Sequence, residues 1–368
     1  MQLSSFGVVA NEYTRFFKNT AEIKYLKMAE KALKRAVKIA AVGQADYHRA
    51  LARNYISQHR FKEALKHANV ALDVGGGRLE SQYLLFDVHM ELGNYHEAER
   101  YLESFKNMYD SGYLIRLAKW NDYKGDLKTT IRLMERVKQK VLSSKNKEIQ
   151  LWVFTNLADY YGHAGRIKDA YQHYLKALQL DPKNAYAKKG IAWIVFSYEK
   201  NAQEAMRILD EVTKTLQAPD YYLLKAQIAE YMAEDQHRLD SLDKYYSLVQ
   251  NPEYGIMYNI PNAELFLEHP HQYKRGLQLA EEEVKNRPTP EAYGLLAYAY
   301  LKDGQTESAM EIAESQILGK TYEPAILLYA AEIYKAGGIT AKVVELRSEL
   351  SEAAYELGPV KASKIQDL

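Results

Sequence analysis

Apolar residues recur at spacings of three and four along most of the chain, and no strand-like alternation competes with them. The stretch Leu151–Asn184, LWVFTNLADYYGHAGRIKDAYQHYLKALQLDPKN, carries the pattern in its clearest form. Phe154, Leu157, Ala158 and Tyr161 share one face of a first helix, and Ala170, Tyr174 and Ala177 share one face of a second. Gly165 falls where the chain must reverse, and Pro182 falls just past the second helix. Ala158 and Ala170 let the two helices approach closely, while the large neighbours fill the space between them. One such hairpin cannot bury its apolar face alone, so it needs neighbours.

The neighbours are copies. The small residue of each second helix is Ala29, Ala64, Ala98, Thr130, Ala170, Ala205, Gly276, Ala309 and Val343, with gaps of 35, 34, 32, 40, 35, 71, 33 and 34, the 71 spanning two units. Residues 1–44 hold a degenerate N-terminal helical repeat and 45–218 a regular array. Irregular repeats with Pro-containing loops follow over 219–289, then C-terminal repeats over 290–357 and a polar tail, 358–368, that should fray. Pro219, Pro252 and Pro261 interrupt the irregular part, and Lys225 stands where a core residue is expected. Helices are expected near Tyr221–Ala233 and Leu239–Gln250, with an ordered loop over Asn251–Pro261 and a loop over Ser143–Lys147.

Phe154-x2-Leu157-Ala158-x2-Tyr161, then Ala170-x3-Tyr174 and Pro182, resembles the tetratricopeptide repeat, whose period is about 34 residues. The resemblance covers nearly the whole chain and is weakest at 1–44 and 219–289. It implies an all-α fold, a right-handed superhelix of antiparallel helix pairs (an α-solenoid). First helices would line a concave wall and second helices the outer one. It also implies a scaffold that binds a peptide or protein on the concave surface, within a larger assembly. Bacterial proteins of this plain, solenoid-only type often serve in the cell envelope.

Composition narrows the picture. Lys and Arg number 49 against 48 Asp and Glu, so no basic excess advertises a nucleic-acid binder, and none is expected as partner. Cysteine is absent, which excludes disulfides, thiolate metal sites and a Cys nucleophile. The longest apolar runs, such as Ile191–Phe196, are far too short for a membrane span. The N-terminus lacks the basic-then-apolar order of a signal peptide. The missing cysteines lean toward an extracytoplasmic mature form (periplasmic or envelope-associated) over a cytoplasmic protein. The 31 tyrosines are read mainly as packing residues.

No Walker, HExxH or GxSxG motif occurs, so no catalytic residue, cofactor or metal is expected. Gly75-Gly76-Gly77 lacks the continuation of a phosphate cradle and reads as an inter-repeat junction. His269 and His271 flank Pro270 without a third ligand at known spacing. What remains is a surface. By the register of the first helices, the concave groove should present Arg49 and Arg53, Tyr83 and Asp87, and Lys119. Trp152, Thr155, Asp159 and His163 should continue it, then Tyr186, Lys189, Trp193 and Phe196. Trp152, Tyr186, Trp193 and Phe196 are the natural anchors, although Trp193 and Phe196 suit inter-repeat packing equally well.

The basic clamp that holds chaperone tails in some tetratricopeptide proteins is not expected, because Thr155, Asp159, Gly190 and Leu84 occupy its positions. Three other readings stand beside the scaffold: a small-ligand or regulatory pocket in 219–262, suggested by Tyr254 and Tyr258; a hydrolase built from scattered carboxylates and histidines, which would need a close Asp/Glu–His cluster in a closed pocket; and self-association through exposed end repeats.

Overall fold

The computed structural model describes residues 3–144 and 146–368, and side chains from residue 6 onward. Lys145, within the expected Ser143–Lys147 loop, lies outside the described residues. Twenty-one α-helices, and no strand, occur among the described residues. In chain order they are α1 Leu3–Thr20, α2 Ile23–Ile39, α3 Gln44–Ser57, α4 Phe61–Val74, α5 Arg78–Glu91, α6 Tyr95–Ser104 and α7 Ser111–Tyr123. Next are α8 Leu127–Leu142, α9 Lys147–His163, α10 Ile167–Leu180, α11 Ala185–Ser197, α12 Ala202–Thr213, α13 Pro219–Tyr231 and α14 Asp235–Val249. Last are α15 Asn259–Phe266, α16 Tyr273–Asn286, α17 Pro290–Lys302, α18 Thr306–Ile312, α19 Pro324–Ala336, α20 Thr340–Glu352 and α21 Ala354–Ser363. The fold is an all-α helical-repeat solenoid.

The hairpin α9–α10 shows how local chemistry builds the unit. Asn146 caps α9 by accepting from the Ile149 amide, and Phe154, Leu157, Ala158 and Tyr161 are buried in one stripe. The turn takes a left-handed residue, Gly165, before Ile167 opens α10. The same place in other hairpins is held by Gly93, Gly125, Gly304 and Gly338, but also by His59, Lys200 and Ala233. Every small tracking residue from Ala29 to Ala309 that was expected at a helix contact is buried. Pro219 does not break the irregular region. It opens α13, where its missing amide would have had no partner. Pro261 likewise sits in the first turn of α15, so the expected loop Asn251–Pro261 gives way to a 3₁₀ turn at Pro252–Tyr254 and then a helix. Lys225 is accommodated by an ion pair with Asp210 at 2.8 Å.

The chain forms two compact units, each assembled from separated segments: Met1–Asn107 with Val249–Ala299, and Met108–Leu248 with Tyr300–Leu368. In the first, Tyr254 is buried against Ile23 and Leu26, with Met257 and Tyr258 packed beside it. The junction after α16 meets the hairpin turns of α3–α4 and α5–α6. Asn286 donates to the His59 carbonyl, Arg287 pairs with Glu91, and Gly93 approaches the Pro288 carbonyl too closely for any side chain.

In the second unit, the hairpins α7–α8, α9–α10 and α11–α12 stack in series with α13, and Tyr322 lies against Gly125 in the α7–α8 turn. The polar tail does not fray. Segment α21 is helical on both sides of a kink at Gly358, with Leu357, Gly358 and Pro359 buried and Ile365 buried in the final 3₁₀ turn. Its apolar residues are too few to read as a stripe, but they find a prepared surface.

Candidate functional site

That surface belongs to α9, α11 and α13, the first helices of three consecutive hairpins in the second unit, and α21 packs against all three. Tyr174, reaching across from α10, donates to Asp159, and so does Tyr186 at 2.8 Å. The Tyr174 ring occupies the space beside Gly190 of α11, where an added Cβ would come within 2.2 Å of the ring. Asp159 is therefore the node joining α9, α10 and α11. Burial raises its carboxyl pKa, opposed by the two tyrosine hydroxyls. Burial and the neighbouring Asp159 both hold the Tyr174 and Tyr186 hydroxyls protonated well above the usual tyrosine range.

Beside this node a cleft of about 400 Å³ opens, walled by Asp159, Tyr186, Lys189, Trp193, Leu224 and Gln227. Lys189 lies 5.5 Å from the Tyr221 ring centre. Tyr186 keeps 51% of its surface open to solvent although protein surrounds it enough to desolvate its hydroxyl. That combination marks the wall of a concavity. Beside the cleft, on the same three helices, lies the docked C-terminal segment. Ser197 donates to the Tyr355 carbonyl at 2.6 Å, and the His163 Nδ1 faces the Glu356 carboxylate at 3.2 Å. Burial, then the nearby Asp122, push the Glu356 carboxyl up to about 7. Burial also raises Asp122, against the opposing charges of His163 and Lys119.

The expected groove residues divide between the units. Arg49, Arg53, Tyr83 and Asp87 lie in the first, and the remainder lie in the second. Arg49 presents nothing to a groove. It is 5% exposed and donates to the carbonyls of Gly76 and Gly77 and to the Ser81 hydroxyl. The triple glycine turns its carbonyls inward onto this guanidinium, which is why the junction is ordered. Tyr83 packs edge-on against Phe105, Asp87 is half-buried and Arg53 is exposed. Lys119 is half-buried. Thr155 is buried and bonds back to its own helix at Leu151 and Trp152, so it too is withdrawn from the surface. Phe196 is fully buried between Trp193 and Tyr231, which resolves it as core. Trp193 is both: one edge rests on Gly358 and Phe196 while another lines the cleft. Trp152 is 42% exposed, and His163 faces Glu356.

Sequence reasoning missed Tyr174 as the pin of the node, and Tyr355, Glu356 and Gly358 as groove occupants. Glycines inside helices were the available signal. Gly162 and Gly190 each weaken a helix by about 1 kcal/mol relative to Ala, so each implies a close neighbour. Those neighbours are the Tyr355 and Tyr174 rings. Elsewhere, Tyr254 and Tyr258 are packed against the first unit's core. Among the described residues no group of three or more His, Cys, Asp or Glu is placed to hold a metal ion.

Models described as Tetratricopeptide repeat match residues 163–228 and 290–317. These two stretches are tetratricopeptide repeats. The first match runs from the α9–α10 turn into α13, and so spans most of the cleft. No curated protein matches the chain. Solved structures similar to it include a tetratricopeptide repeat protein from Parabacteroides merdae, 15% identical, with 68% of this chain and 95% of that one covered and a TM-score of 0.45. Pseudomonas aeruginosa pilF is 15% identical, covering 57% of this chain and 94% of its own at a TM-score of 0.41. Yeast Tom70 is 15% identical, covering 99% and 88% at 0.39. Among the described residues, no helix of this repeat protein is long and apolar enough to cross a membrane.

Proposed function

We propose that this helical-repeat protein is a non-catalytic scaffold. It receives a peptide or protein segment on the first-helix face of its second unit and works within a larger assembly. The observation that carries this reading is the cleft between Tyr186, Trp193 and Leu224, a preformed concavity with aromatic walls. Aromatic side chains offer large contact area with few torsions to freeze, which suits them as anchors. The wall is held by the Asp159–Tyr174–Tyr186 node, so the wall itself needs little rearrangement to receive a ligand. The near-zero net charge supports a protein partner over nucleic acid.

The test is a peptide-display selection on the intact protein, followed by titration of the selected peptide against Trp193→Ala and Trp152→Ala. The reading expects at least one of these to weaken binding ten-fold or more while far-UV circular dichroism is unchanged. Undiminished affinity in both folded variants removes this face as the binding surface.

A further inference from the structure

The C-terminal segment is seated on its wall by shape as well as by polar contacts. The Tyr355 ring covers Gly162 of α9, where an added Cβ would stand 3.0 Å from it. Gly358, at a φ of +75°, brings its backbone onto the Trp193 ring, where an added Cβ would stand 2.5 Å away. The Tyr355 carbonyl accepts from Ser197, Glu356 faces His163, and Leu357 and Pro359 are buried. An aromatic ring, a carboxylate and a Gly-Pro turn thus meet, in order, a glycine floor, an imidazole and an indole, with a buried aliphatic side chain between the last two.

We propose that Tyr355–Pro359 is a resident pseudo-ligand, and that the partner is a peptide offering the same order of groups, which gains the groove by displacing it. This inference rests on the peptide-scaffold reading above and gives that reading a chemical class of ligand. The docked segment is a replaceable occupant because its helix is interrupted at Gly358 and its Glu356–His163 contact is partly open to solvent. Tethering makes it a strong competitor, since a short intramolecular connection acts as a millimolar ligand (order of magnitude).

The test uses the full chain and a fluorescein-labelled peptide of residues 352–363. Tyr355→Ala removes the anchor without backbone strain, and Gly358→Ala drives a methyl into Trp193; both leave the wall intact. Each variant should bind the peptide at least ten-fold more tightly than the wild type, and the same peptide with Tyr355→Ala should not bind. Adding Gly162→Ala to the Tyr355→Ala chain should abolish the gain, because the floor then meets the incoming ring. Equal affinity of the wild type and the Tyr355→Ala variant overturns the proposal, whether or not Gly358→Ala folds. Display selection on the Tyr355→Ala chain separates the two readings. Binders lost on Trp193→Ala but lacking this order of groups overturn the pseudo-ligand and leave the scaffold; no binders at all overturn both.

Discussion

Trp193 and Phe196 stand one turn apart on α11 and answer the same substitution differently. Phe196→Ala empties a fully buried site and should lower stability by about 3–5 kcal/mol, read by denaturant unfolding. Trp152→Ala, on the exposed α9 surface, should cost no more than about 1 kcal/mol. Trp193→Ala should lower both stability and ligand affinity, because its ring serves the core and the cleft together. A second residue-scale prediction concerns turn chemistry. Ala233 holds the left-handed turn conformation at a φ of 56°, the place glycine takes in five other hairpins. Ala233→Gly should therefore raise the melting temperature, by a stabilisation of about 1 kcal/mol. At this scale the sequence was legible wherever a residue answers to its own turn or stripe. Arg49 was not legible, because its inward register says nothing of the carbonyls of Gly76 and Gly77 that claim its charge.

The helices themselves were readable because the 3.6-residue period, the small contact residues and the turn glycines are all local signals. In the irregular region proline reads as a break in sequence, whereas Pro219 and Pro261 sit in first turns. Segment α21 escaped because its partners are remote: Ser197 and Tyr355 are 158 residues apart. The docking of this segment should depend on pH. Glu356 faces His163 and lies near Asp122, and its pKa is raised from 4.5 to about 7. A raised carboxyl favours the docked state fully below the unbound value, and the advantage disappears as pH rises through about 7. The whole effect amounts to about 3 kcal/mol. Hydrogen exchange of Ala354–Ser363, corrected for intrinsic rates, should show protection falling from about pH 4.5 to about 7 and levelling above it. Glu356→Gln should flatten that dependence; an unchanged slope would remove Glu356 as its source.

For the whole molecule, the repeat period announced stacked hairpins but not which distant segments share a unit. Period is nearest-neighbour information, and the pairing of Met1–Asn107 with Val249–Ala299 depends on contacts such as Tyr254 on Leu26 that leave no periodic trace. The first unit has its own pH response, of opposite sign. His48 and His67 face each other at 2.8 Å between α3 and α4, and burial, then the facing His48, depress the His67 pKa from 6.5 to about 4. A depressed histidine contributes stability above its unfolded pKa, and that contribution is lost as pH falls toward 4. Thermal melts should show the first unit losing stability over that interval, and His67→Gln should shrink the loss.

Under the proposed function, the first-helix face of the second unit is the working surface. Site-specific photocrosslinking reads this most directly, with the photoreactive side chain at Tyr186 in the cleft or at exposed Arg207 on α12, a second helix. A peptide selected on the intact protein should crosslink from Tyr186 and not from Arg207. Crosslinking from Arg207 with none from Tyr186 would contradict the proposed function.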